Sequence, residues 1–175
     1  MTGMESPLLR ARLTTRAGQF KQLVSRLRLP ETSQDRDAIR PLVRQLHDVT
    51  ALENAILSEF GSMQRAVADS PAGRAYMYHL ATAAVHCTRA AGHLATALQS
   101  LTVVPSPGTP LPQDAPLGFT LGHAAARRSL QRSQQALEAG AAEFTEPGRP
   151  SLPQPPSAHS RSADQNSLPT RRRPR

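Results

Sequence analysis

The chain has no tryptophan, one cysteine and one lysine, and aromatic residues make up only 3% of its 175 positions. Each scarcity excludes something. With few aromatics and a hydrophobic fraction of 38%, a core must be assembled from leucine, alanine and valine. That favours close helix packing over a sheet sandwich of aromatic and β-branched side chains. The single cysteine, Cys87, forms no internal disulfide, so nothing marks an oxidising compartment. It reads as a small buried hydrophobe. No stretch approaches the roughly 20 uncharged apolar residues of a membrane span. The opening "MTGMESPLLRARLTTRAG" lacks the apolar segment of a signal peptide.

Chemical motifs are missing too. There is no G-x-x-x-x-G-K-[ST], G-x-G-x-x-G, H-E-x-x-H or G-x-S-x-G. No catalytic residue and no cofactor are assigned on this basis. Lys21 stands alone beside twenty arginines, a bias that fits GC-rich coding and a bacterial cytoplasmic protein.

What the chain does have is arginine at its ends. The net charge is +8, and residues 1–30 hold six bases against Glu5. Residues 147–175 hold six against Asp164, while the middle is nearly neutral. Arg12, Arg16, Lys21, Arg26 and Arg28, with Arg171, Arg172, Arg173 and Arg175, form a candidate set for nucleic-acid contact. Such ends hold an anionic partner by counterion release, without reading sequence. No helix-turn-helix, zinc finger or stacking cluster supports base-specific readout. The same charge also serves solubility.

Apolar periodicity supplies the architecture. Ser6-Pro7 reads as a cap and first helical residue, followed by Leu9, Leu13, Ala17, Phe20, Val24 and Leu27 on one face, with Pro30 as the stop. Asp35 or Asp37 opens a second helix, in which Pro41 fits only within the first turn. Its stripe is Ile39, Leu42, Leu46, Val49, Ile56, Phe60, Met63 and Val67, interrupted by Glu53. "DSPAGR" punctuates the chain, with Ser70 as cap and Pro71 as start of a third helix, antiparallel to the second. That helix carries Met77, Leu80, Ala84, Cys87, Ala91, Leu94, Leu98 and Leu101 and runs to about Leu101.

The expected fold is therefore an all-α antiparallel bundle. A three-helix core spans 1–102, a proline-rich linker 103–116, a weaker fourth helix 117–144, and a disordered basic tail 145–175. In the fourth helix Leu130, Leu137 and Phe144 recur among alanine, glutamine and serine.

His79, His86 and His93 stand seven apart on the third helix. Seven residues advance about 10.5 Å and return to nearly the same face, too far for one ion to be shared. Chelation from a single helix needs a spacing of three or four. No metal site is assigned; one would require ligands from other helices, such as His47 or His123, or a dimer. With Leu80, Cys87, Leu94 and Leu101 on the core rail, the histidines form a flanking contact stripe. It would be covered by the first and fourth helices or by a second subunit. Between Arg74 and Leu101 the only full charge is Arg89. Self-association, if present, is expected along the Leu80–Leu101 stripe.

The functional expectation is a small non-catalytic interaction or regulatory protein, binding a protein partner or itself. It would touch nucleic acid through its basic ends. The alternative is a small helical enzyme or ligand-binding bundle with a site near His86 and Glu53, a carboxylate at an otherwise apolar position.

Overall fold

Apolar residues recurring at three and four positions wind into four helices among the described residues. They are α1 (Glu5–Arg26), α2 (Ile39–Val67), α3 (Pro71–Thr102) and α4 (Ala115–Glu143). The computed structural model describes residues 5–29, 39–67, 69–102 and 115–145, and no strand occurs among them. The tail arginines Arg171, Arg172, Arg173 and Arg175, the acids Asp35 and Asp37, and nearly all of the expected linker lie outside the described residues.

Helix ends follow from backbone donors that need no partner. Pro7, Pro41 and Pro116 each fall within the first turn of their helix, where a missing N–H removes no intrahelical bond. Hence α1 starts at Glu5 rather than after Ser6, and α4 at Ala115, two residues before the expected boundary. Ser70 caps α3 directly: its Oγ accepts from the Gly73 N–H at 2.8 Å, and its carbonyl accepts from the Arg74 N–H at 3.0 Å. At the far end of α1, Leu27 donates to the Leu23 carbonyl at 3.0 Å, closing the last turn just short of Pro30.

The helices alternate up and down around a ring. Arg16 meets Glu59 and Gln45 meets the Arg28 carbonyl, so α1 and α2 are antiparallel. Tyr76 meets Glu59 and Cys87 meets the Val49 carbonyl, which sets α3 against α2. Ser133 meets the Ala83 carbonyl, which sets α4 against α3, and α4 closes the ring on α1.

The core is shared by all four helices and is not confined to the first three. Leu13 and Phe20 of α1, Leu42, Val49 and Ile56 of α2, Tyr76, Leu80 and Leu94 of α3, and Phe119, Leu130 and Leu137 of α4 expose no surface. Each such aliphatic or phenylalanine side chain contributes roughly 1.5–3 kcal/mol by leaving water. The Leu80–Leu101 stripe is turned inward: Leu80 and Leu94 are fully buried, and Leu98 and Leu101 pack on the same core. Within the monomer it is part of the core shared by the four helices.

Small residues bring α3 and α4 together most closely. A Cβ added to Gly122 would stand 3.0 Å from both the His93 carbonyl and the Ala97 Cβ. One added to Gly140 would stand 2.6 Å from the His79 ring. Ser133 fills the middle of the seam and donates its hydroxyl to the Ala83 carbonyl at 2.9 Å.

Candidate functional site

The opposite seam is open. α1 and α2 are consecutive and antiparallel, yet their backbones barely approach, and among the described residues side chains bridge them at two places. At one end Arg16 Nε donates to Glu59 at 2.6 Å, Arg12 lies 3.8 Å from the same carboxylate, and Arg12 also reaches Met63 Sδ at 3.1 Å. At the other, Gln45 donates to the Arg28 carbonyl at 2.9 Å. Two adjoining depressions lie along this seam, of about 340 and 430 Å³, sharing Leu23, Arg26 and Asp48. Leu23 and Leu27 form the buried floor, Ala51, Leu52 and Ala55 an apolar wall, and Gln19, Gln22 and Gln45 polar edges. Arg26, Arg40 and Arg44 stand around the second depression with Asp48. Among the described residues these three arginines are exposed and make no ion pair.

The residues that position this groove form a network around Glu59, whose side chain is only 10% exposed. Arg16 and Arg12 supply its counter-charge, and the fully buried Tyr76 donates its hydroxyl at 2.5 Å. Burial, followed by that hydrogen bond and the Glu59 charge, raises the Tyr76 hydroxyl well above its ordinary range. It stays protonated and acts as a donor. A buried carboxylate with a neutral phenol and two guanidiniums is a satisfied structural clamp. It ties α1, α2 and α3 at one end of the bundle.

This places the candidate bases in two groups. Arg12 and Arg16 are engaged by Glu59, whereas Lys21, Arg26 and Arg28 are exposed. The structure adds Arg40 and Arg44, which sequence reasoning missed. Arg40, Arg44 and Asp48 repeat every four residues on one face of α2. Only the return of the chain after α1 brings that face beside Arg26.

His79 and His93 meet α4, and His86 lies within reach of the Arg132 charge on it. His79 is buried, with Nε2 3.2 Å from a Glu143 carboxylate oxygen and its ring edge-on to Tyr78. Gly140 leaves the space that ring occupies. His93 offers its backbone carbonyl toward Gly122. His86 is half-buried with Nδ1 unpartnered, and desolvation, then the Arg89 and Arg132 charges, lower its pKa from 6.5. His123, absent from the ladder, is more enclosed. It hydrogen-bonds the Arg28 backbone and leans on Phe119, while desolvation and Arg127 hold its pKa down.

Glu53 accepts a hydrogen bond from Thr88 at 2.5 Å on the α2 side of α3. Thr88 lies two residues beyond His86, about 200° further round the helix. Glu53 and His86 are thus not brought together, and Arg89 does not pair with Glu53. Cys87 is buried, donating to the Val49 carbonyl at 3.6 Å, and burial pushes its thiol up to about 12. A thiol held protonated is a poor nucleophile and metal ligand. Among the described residues no group of three or more His, Cys, Asp or Glu could hold a metal ion. No helix among them is long and apolar enough to cross a membrane.

No protein-family model matches the chain, and no curated protein or solved structure is significantly similar to it.

Proposed function

We propose that the chain is a small non-catalytic interaction module that holds an anionic partner against the groove between α1 and α2. One observation carries this reading: a seam that stays open along two adjoining depressions, where Arg26, Arg40 and Arg44 stand exposed with Asp48 as the one acid among the described lining residues. Exposed guanidiniums that make no ion pair among the described residues keep their charge and forked donors for a ligand. Arg28 at the edge of the groove, and the chain's other bases, add to a field that speeds encounter more than it strengthens binding.

The test is a titration of the full chain with polyglutamate and with duplex DNA, at roughly 50 and 150 mM salt. Binding is expected at the lower salt, weaker at the higher, and largely lost in Arg26→Gln/Arg40→Gln/Arg44→Gln. Changing Arg171, Arg172, Arg173 and Arg175 to Gln should weaken it less. Parent-like binding by the triple variant would remove the groove from the argument. No binding of any polyanion would end the reading altogether.

A further inference from the structure

We infer that the groove between α1 and α2 seats one acidic amphipathic helix of a protein partner, a reading that rests on the anion-binding role above and gives it an occupant. Shape is the first argument. The open stretch spans residues 16–27 of α1 and 40–55 of α2, about 17 and 22 Å at 1.5 Å per residue. That length accepts three to four turns of helix, with the Arg16–Glu59 bridge at one end and the Gln45–Arg28 contact at the edge of the second depression.

Chemistry is the second. Along the middle run Leu23 and Leu27, with the part-exposed Leu52 and Ala55 and the exposed Ala51 and Pro41 beside them. An apolar stripe on an incoming helix would bury against these, and the alanines leave room for its larger side chains. Arg26, Arg40 and Arg44 stand on the flanks, where carboxylates either side of such a stripe would meet them. This is the helix-in-groove mode, with charge setting orientation and leucine-like anchors supplying the contact.

Other occupants fit less of the surface. A phosphate backbone would satisfy the arginines but leave the leucine and alanine wall idle, and no aromatic ring lines the groove for a base to stack on. A second copy of this chain has no acidic helix to offer. None of its helices carries more acids than bases.

The experiment measures fluorescence anisotropy of the full chain with three labelled probes. These are a roughly sixteen-residue peptide with a leucine stripe flanked by glutamates, a scramble of identical composition, and a duplex of about 20 base pairs. The amphipathic peptide should bind saturably and at least about tenfold more tightly than its scramble. Arg26→Gln/Arg44→Gln should weaken it by a similar factor. Ala55→Leu, which fills the wall without touching charge, should also weaken it while leaving helicity and Tm intact. Equal binding of peptide and scramble would overturn the helix seat yet leave the anion reading standing. Tighter binding of the duplex would assign the groove to phosphate instead. Failure of all three probes would remove both readings. Parent-like peptide binding by Ala55→Leu would place the helix elsewhere.

Discussion

Alanine lines two seams of this bundle, with opposite results. On α3, Ala83 and Ala97 face Ser133 and Gly122 of α4, and the backbones close to contact. On α2, Ala51 and Ala55 face a groove whose α1 side is Arg16, Gln19, Gln22 and Arg26. The small residues are alike; what stands opposite them is not. A seam closes only when both ridges are low, because long polar side chains keep their heads in water and hold the facing helix away. The first seam is built to be filled by the chain itself, the second to stay unfilled.

The sharpest way to break that contrast is to add the same bulk to each side. Gly122→Val drives two methyl groups against the His93 carbonyl and Ala97, and overpacking of this kind costs about 1–3 kcal/mol. Tm should fall by several degrees, at roughly 2–4 °C per kcal/mol for a chain of this size. Gly140→Ala should behave similarly, since its new Cβ displaces the His79 ring from Glu143. Ala55→Val should change stability by less than about 0.5 kcal/mol. Thermal melts of the three variants decide it, and equal losses at Gly122 and Ala55 would show that the groove is packed after all.

The next largest effect belongs to the clamp that ends the open seam. Glu59→Ala leaves the Tyr76 hydroxyl and the Arg16 guanidinium without their acceptor, and we expect a loss of about 2 kcal/mol, below the range for a fully buried pair because Arg16 is partly exposed. Tyr76→Phe removes one donor and should cost about 1 kcal/mol. Chemical denaturation of both reads this directly. A neutral Glu59→Ala would mean that water replaces the network.

These effects also mark where the sequence was informative. Leucine spacing and the capping of α3 by Ser70 were legible because they depend on neighbours three or four residues away. The expectation that the histidine flank of α3 is covered came from its lack of charge, and α4 lies against it at His79 and His93. Three features were not legible. The strength of α4 lies in glycine, serine and alanine, which carry little hydrophobicity but permit close approach. Glu59 was less conspicuous than Glu53, since only the fold shows that Glu59 meets Tyr76 and two arginines while Glu53 meets Thr88. Arg40 and Arg44 acquire meaning through Arg26, from another helix.

Acid separates the seams in a third way. No histidine lines the α1–α2 groove, whereas His86 on α3 and His123 on α4 have pKa values held below 6.5, chiefly by desolvation. A histidine that stays neutral when folded takes up protons more readily when unfolded. Its contribution is therefore complete above the unfolded value and lost as pH falls through the folded one. Stability should decline as pH falls below about 6.5, and His123→Phe should flatten part of that slope. Urea midpoints at a series of pH values test this, and an unchanged slope in the variant would remove His123 as a source.

The smallest effect tests whether glycine is spent only where a seam needs it. Gly122 and Gly140 have a neighbour inside the distance a Cβ requires, but Gly18, Gly61 and Gly92 have nothing within 4 Å of that position. All three lie inside helices, where glycine costs roughly 0.5–1 kcal/mol relative to alanine through the backbone freedom it gives up on folding. Gly92→Ala on α3 should therefore stabilise the bundle by about that amount, with Tm rising a few degrees. Gly61→Ala on α2 should do the same. Paired with the loss at Gly140→Ala, this reverses the sign of one substitution according to whether a helix stands opposite. A destabilised Gly92→Ala would show that α3 is covered at that point by something outside the four helices, and native gel mobility of the parent and variant would then reveal a second copy.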